Sequence, residues 1–111
     1  MNWRELNNLS QLEEIIRLSH TRPQLIFKHS TRWFISKSVL RNFESDWPAN
    51  DPKVDCWFLD LLAHRDVSGA VEKQFLVRHE SPQAILIQQG QAVYNASHDD
   101  ISAVEISGRV G

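Results

Sequence analysis

LIFKHSTRWFISKSVLRNF, residues Leu25 to Phe43, holds the transition that decides the fold. It opens on three consecutive apolar residues, Leu25-Ile26-Phe27. A short unbroken run of this kind suits a strand covered on both faces, as in a parallel sheet. A polar, hydroxyl-rich turn follows, from His29 to Ser36. Ile35, Val39, Leu40 and Phe43 then recur at helical spacing, which predicts a helix over about 33–45. Pro48, Asn50, Asp51 and Pro52 mark a loop. Val54, Cys56, Trp57, Phe58 and Leu59 form a second apolar run, predicted as a buried strand over 54–59. Strand, helix and strand of these lengths make a βαβ unit, whose crossover is right-handed in nearly every case.

Upstream, Ser10-Gln11-Leu12-Glu13 has the form of a capping box. A helix from about 11 to 20 is expected after it, ended before Pro23. Downstream, Asp66 or Ser68 can cap a helix carrying Val67, Val71, Phe75 and Val77. Ala84-Ile85-Leu86-Ile87, the turn Gln88-Gln89-Gly90-Gln91 and Ala92-Val93-Tyr94 read as an antiparallel hairpin. Ser97 to Asp100 can cap a last short helix through Ile101 and Val104, with Asp99 and Asp100 favoured by its dipole. This order of elements resembles the thioredoxin arrangement. The expectation is one α/β domain over 1–111, with a thioredoxin-like fold. It comprises a four-stranded mixed sheet flanked by helices, plus an extra N-terminal helix.

The 111 residues, 41% hydrophobic and 23% charged, fit a single soluble domain. A net charge of −2 gives no reason to expect nucleic acid or an anionic membrane as partner. No apolar stretch approaches the ~20 residues of a membrane span. Met1 to Glu5 lack the form of a signal peptide, and the single cysteine, Cys56, excludes an intrachain disulfide. A reducing cytoplasm is the expected compartment. Charge is uneven: six basic residues and no acid lie between Ile15 and Phe43, and six acids against two bases between Glu44 and Asp66. Two solvated faces would account for this. The alternative is a positive field around the 29–36 turn, suited to an anionic ligand or a thiolate. None of the five histidines has metal-ligand spacing, so no metal is expected. His29 and His98 should flank the turn. Trp3, Trp47 and Trp57 are expected in packing or as surface lids.

In a parallel sheet, ligands sit beyond the carboxyl ends of the strands, where the 29–36 turn must lie. The helix that follows offers unpaired N–H groups and a partial positive charge. A cysteine there would have a lowered pKa and act as a nucleophile. Thr31, Arg32 and Ser36 would surround it with donors and a cation. The residue at the helix mouth is instead Trp33. Ser81-Pro82 is the second piece, since a proline opening a strand costs no ladder bond.

At these residues the likeness extends beyond fold. FKHSTR-x-x-IS at Phe27 to Ser36, LDLLAHRDVS at Leu59 to Ser68, VRHESPQAILI at Val77 to Ile87 and YNASHDDI at Tyr94 to Ile101 resemble the monothiol bacilliredoxin family. The resemblance implies a T-x-C-P-I-S-like motif whose single cysteine attacks the mixed disulfide between bacillithiol and a client protein. Thr31, Ile35 and Ser36 match that motif, and Arg32 fills its variable position. Trp33 stands in the seat of the nucleophile, and Phe34 where proline or a small residue is usual. Pro82 matches a cis-proline that faces the helix mouth. The implied substrate-binding residues are therefore Thr31, Arg32, Ser36, Ser81 and Pro82, with His29 and His98 alongside. No tightly bound cofactor is implied, and bacillithiol is the thiol ligand. The implied partners are bacillithiol-modified clients or a small thiol, with the redox activity impaired. Cys56 cannot stand in, because it should lie at the opposite end of a parallel strand, five or six residues of ~3.3 Å away. The alternative function is a non-catalytic module that binds a peptide or protein in the same groove.

Overall fold

The computed structural model describes residues 3–30, 34–48 and 53–110, with the backbone alone for 34–36. The strands are β1 (Trp3–Glu5), β2 (Gln24–His29), β3 (Asp55–Asp60), β4 (Gln83–Gln88) and β5 (Gln91–Ser97). The helices are α1 (Ser10–Leu18), α2 (Phe34–Asp46), α3 (Arg65–Phe75) and α4 (Ala103–Val110), with a 3₁₀ turn at His98–Asp100. The sheet runs β1-β3-β2-β4-β5; β1, β3 and β2 are mutually parallel, and β4 and β5 are antiparallel to their neighbours.

Strand alternation sorts the side chains into two cores. Ile26, Trp57, Leu59, Ile85 and Ile87 meet Leu12 and Ile15 of α1 and Val67, Val71 and Phe75 of α3. Leu25, Phe27, Cys56, Ala84 and Leu86 meet Phe43 of α2 and Ala103 and Ile106 of α4. The thioredoxin-like α/β arrangement is therefore present, but the sheet has five strands rather than four. The additional strand is β1, which pairs Trp3, Arg4 and Glu5 with Cys56, Trp57 and Phe58. Three residues show no periodicity, so this strand exists only through its partner. Trp3 packs edge-on to Phe27 at 5.8 Å and donates from Nε1 to Glu44 Oε2 at 2.9 Å. Arg4 points to the other face and lies over Trp57, 4.1 Å from the ring centroid. Trp57 is fully buried and donates from Nε1 to Gln24 Oε1 at 2.9 Å.

The helix caps differ from those expected. Ser10 is the first residue of α1, and the box is built two residues earlier. Asn8 Oδ1 accepts the Gln11 amide at 3.1 Å, and Gln11 Oε1 accepts the Asn7 and Asn8 amides at 2.7 and 3.2 Å. Asp66 and Ser68 lie within α3, and the Asp60 carboxylate instead accepts the Leu62 and Ala63 amides that precede it. Ser97 to Asp100 end β5 and form the 3₁₀ turn, while α4 is capped by Ser102 Oγ, which accepts the Glu105 amide at 3.1 Å.

The hairpin turns at Gln89 and Gly90, both at positive φ (55° and 76°), as a two-residue primed turn requires. A Cβ at residue 90 would also sit 3.5 Å from His20 Nε2. Gly90→Ala should lower stability by about 1 kcal/mol. Gly108→Ala, where an added Cβ meets nothing within 4 Å, should raise it by about 0.5 kcal/mol. Urea unfolding of both variants checks the contrast.

Candidate functional site

Four chain segments come side by side at the carboxyl end of β2. His29 pairs with Asp60 of β3, and its carbonyl accepts the Leu61 amide at 3.2 Å. On the other side Lys28 pairs with Gln83, so Pro82 stands beside His29 just beyond the ladder. Gln83 pairs in turn with Ser97, and the His98 amide donates to the Pro82 carbonyl at 3.0 Å. The Ser81–Pro82 peptide bond is cis, as the resemblance implies. The 3₁₀ turn that carries His98 packs against α2. The prolyl segment and the helix that follows β2 therefore share one edge of the sheet.

Of the expected site residues, Ser81, Pro82, His29 and His98 converge at this edge. Ser36 lies in the first turn of α2. Thr31, Arg32 and Trp33 lie outside the described residues. His29 is buried rather than presented to the groove, with its ring 5.4 Å from that of Phe58. His98 is exposed, and its Nδ1 lies 3.5 Å from Glu80 Oε2; the same carboxylate accepts the Ser97 hydroxyl. Glu80, two residues before the proline, is thus tied to the start of the 3₁₀ turn. Buried Ser81 Oγ and Gln83 Oε1 have no hydrogen-bond partner among the described residues. Among the described residues no group of three or more acidic, histidine or cysteine side chains could hold a metal. Cys56 lies where the sequence places it. It pairs with Leu25 at the amino end of the strands, buried in the α2/α4 core.

Sequence reasoning missed a second group. Lys28 is not on a solvated face. It is fully buried on β2 and points to the α1/α3 side, with Nζ 3.2 Å from His79 Nδ1. Ser68 Oγ of α3 lies 3.4 Å from the same nitrogen, and Glu72 Oε2 accepts the His79 amide at 2.6 Å. Burial pulls the Lys28 ammonium down to about 8, against the opposing pull of Glu72. His79 is lowered too, first by burial and then by the Lys28 charge. The signal was present in the sequence: Lys28 continues an apolar run, and a strand covered on both faces leaves a lysine no solvent to reach.

The sequence matches the family described as "Monothiol bacilliredoxin BrxC" over residues 4–106. The chain belongs to that family, which is a thiol redox family. Among solved structures it is similar to a thioredoxin-fold protein provisionally described as an oxidoreductase. The two are 27% identical over 96% of this chain and 91% of that one, with a TM-score of 0.81. Thioredoxins from Fasciola hepatica and Malassezia sympodialis share the fold at 14% and 17% identity. Their TM-scores are 0.73 and 0.72, over 96% and 98% of this chain and 95% and 88% of theirs. Among the described residues no helix is long and apolar enough to cross a membrane.

Lys28 sets a pH dependence. Its folded value lies below its unfolded value of 10.5, so between about pH 8 and 10.5 the unfolded chain holds more of the proton. Stability should therefore rise through that window, by up to about 3 kcal/mol. Below it both states are protonated, and the burial penalty is fully present. Lys28→Met should remove the rise and be more stable than the wild type at neutral pH, by about 1–3 kcal/mol. Urea unfolding at intervals from about pH 7 to 9.5 measures both.

Proposed function

We propose that this chain is a member of the bacillithiol thiol system that binds a bacillithiol-modified client, or the small thiol itself, and whose own disulfide exchange is impaired. The binding site is the one the family likeness implies, beside the cis Ser81–Pro82 segment. One observation carries the reading: a chain of the monothiol bacilliredoxin family has its single thiol, Cys56, buried at the amino end of the strands, whereas position 33 follows the carboxyl end of β2 in the sequence. In the family reaction a thiolate at the seat attacks the bacillithiol sulfur of the mixed disulfide. A new S–S bond forms to bacillithiol, and the client sulfur leaves as thiolate. With Trp33 in the seat there is no electron pair to begin that step. From Leu25 to His29 the strand advances about 13 Å, so Cys56 cannot supply one.

What the chain retains is the means to recognise. The segment around Pro82 offers backbone groups to an extended ligand, and His98 and Glu80 border it. In the sequence a large flat side chain, Trp33, takes the position of the family's reactive group. No cofactor takes part, and bacillithiol enters as ligand or as part of the client. The absence of a nucleophile equally favours the second reading, a thioredoxin-like module for unmodified peptides. The two differ in whether the bacillithiol moiety is recognised.

Trp33→Cys separates them. The new thiol should titrate well below the ordinary thiol value of about 8.5. It should also release one client thiol per chain from a bacillithiol mixed disulfide, whereas the wild type and Trp33→Ser release none. The wild type should bind a bacillithiolated peptide at least tenfold more tightly than the same peptide unmodified. An ordinary, unreactive thiol at position 33 together with equal peptide affinities would overturn the proposal in favour of the module.

A further inference from the structure

The Lys28 group lies on the α1/α3 face of the sheet, away from α2, and it is not closed to solvent. An open cavity of about 460 Å³ lies between the first turns of α3, the Leu61-Leu62 segment after β3, and His79. We propose that this cavity is a second ligand site, distinct from the Pro82 groove, and that it takes a small organic carboxylate with a short apolar body.

Size, lining and donor type each support this. The volume is within the range of small-molecule sites, which are mainly apolar with a few convergent polar groups. Leu61 and Leu62 supply apolar lining, and Arg65, Ser68 and His79 supply donors. A guanidinium is suited to a carboxylate because its paired N–H groups match the two oxygens. Lys28 acts from behind His79 rather than by contact, since its Nζ lies 3.2 Å from His79 Nδ1 and the residue is not in the cavity lining. Glu72 is an opposing acid, and one of its oxygens is engaged by the His79 amide. Lys28 and Arg65 are balanced by Glu72 and by Glu80, whose charge also acts on His79. An anion is therefore held by the guanidinium's paired donors rather than by net charge, which favours a monoanion over a phosphate dianion. Gly69 lies in the lining, and a Cβ built there meets nothing within 4 Å, so α3 leaves the entrance open at that point.

The test is a two-dimensional NMR titration of the ¹⁵N-labelled chain with butyrate, its neutral isostere butyramide, and inorganic phosphate. Butyrate should give saturable shifts at the Ser68, Gly69 and His79 amides, with butyramide at least tenfold weaker. Arg65→Gln should weaken butyrate at least tenfold. Gly69→Leu, which extends into open space and leaves the core untouched, should abolish the shifts while the rest of the spectrum is unchanged. Three outcomes would each overturn the assignment. They are equal responses to butyrate and butyramide, shifts that do not saturate at these amides, and phosphate saturating the same amides at lower concentration than butyrate.

Discussion

The double pairing of β2 governs this molecule. All six of its residues are buried. β3 lies along one side in parallel and β4 along the other in antiparallel sense. A strand in this position has no solvent-facing side, so each of its side chains is assigned to one core or the other. Leu25 and Phe27 go to the α2/α4 side, and Ile26 goes to the α1/α3 side. The same pairing sets which loops meet at its carboxyl end. Because β4 runs back against β2, the chain entering β4 must pass the point where the chain leaves β2. The cis-prolyl segment and the start of α2 are neighbours for that reason, whatever residues they contain.

Lys28 shows what this constraint does to a residue with a charge. Its backbone has no choice of face, and its ammonium meets His79, which Ser68 and Glu72 contact in turn. Burying a cation among such partners does not by itself stabilise a fold, since well-packed apolar residues do as well or better. The arrangement is more readily understood as serving the open cavity beside it than as serving the core. The two sides of the sheet thus differ in character at the same edge. One carries the cis Ser81–Pro82 segment beside the start of α2, and the other carries the ionisable group around Lys28.

Much of the fold is legible along the chain because its central part is written in unbroken apolar runs. Leu25 to Phe27, Cys56 to Leu59 and Ala84 to Ile87 announce buried strands, and Gln89-Gly90 announces the turn between β4 and β5. What escapes is held by partners distant in sequence. Strand β1 has three residues and no pattern, and it depends on the edge of β3. The caps of α1 and α4 are one choice among several nearby Ser, Asn and Asp residues, and only geometry selects Asn8 and Ser102. At the site, the prolyl segment is legible through its motif. Lys28 is harder to read, because counting charges along a segment treats every basic residue as solvated. The position of a lysine within an apolar strand is the better guide.

Cys56 has one further consequence. Its backbone is flanked by Leu25 on one side and by Trp3 of the short edge strand on the other. Its side chain, however, points out of the sheet into the α2/α4 core, so a reagent reaches the sulfur when that helix layer opens. In a protein with one sulfhydryl, the speed of alkylation therefore reports the opening of that layer, and the fold contains its own probe of it.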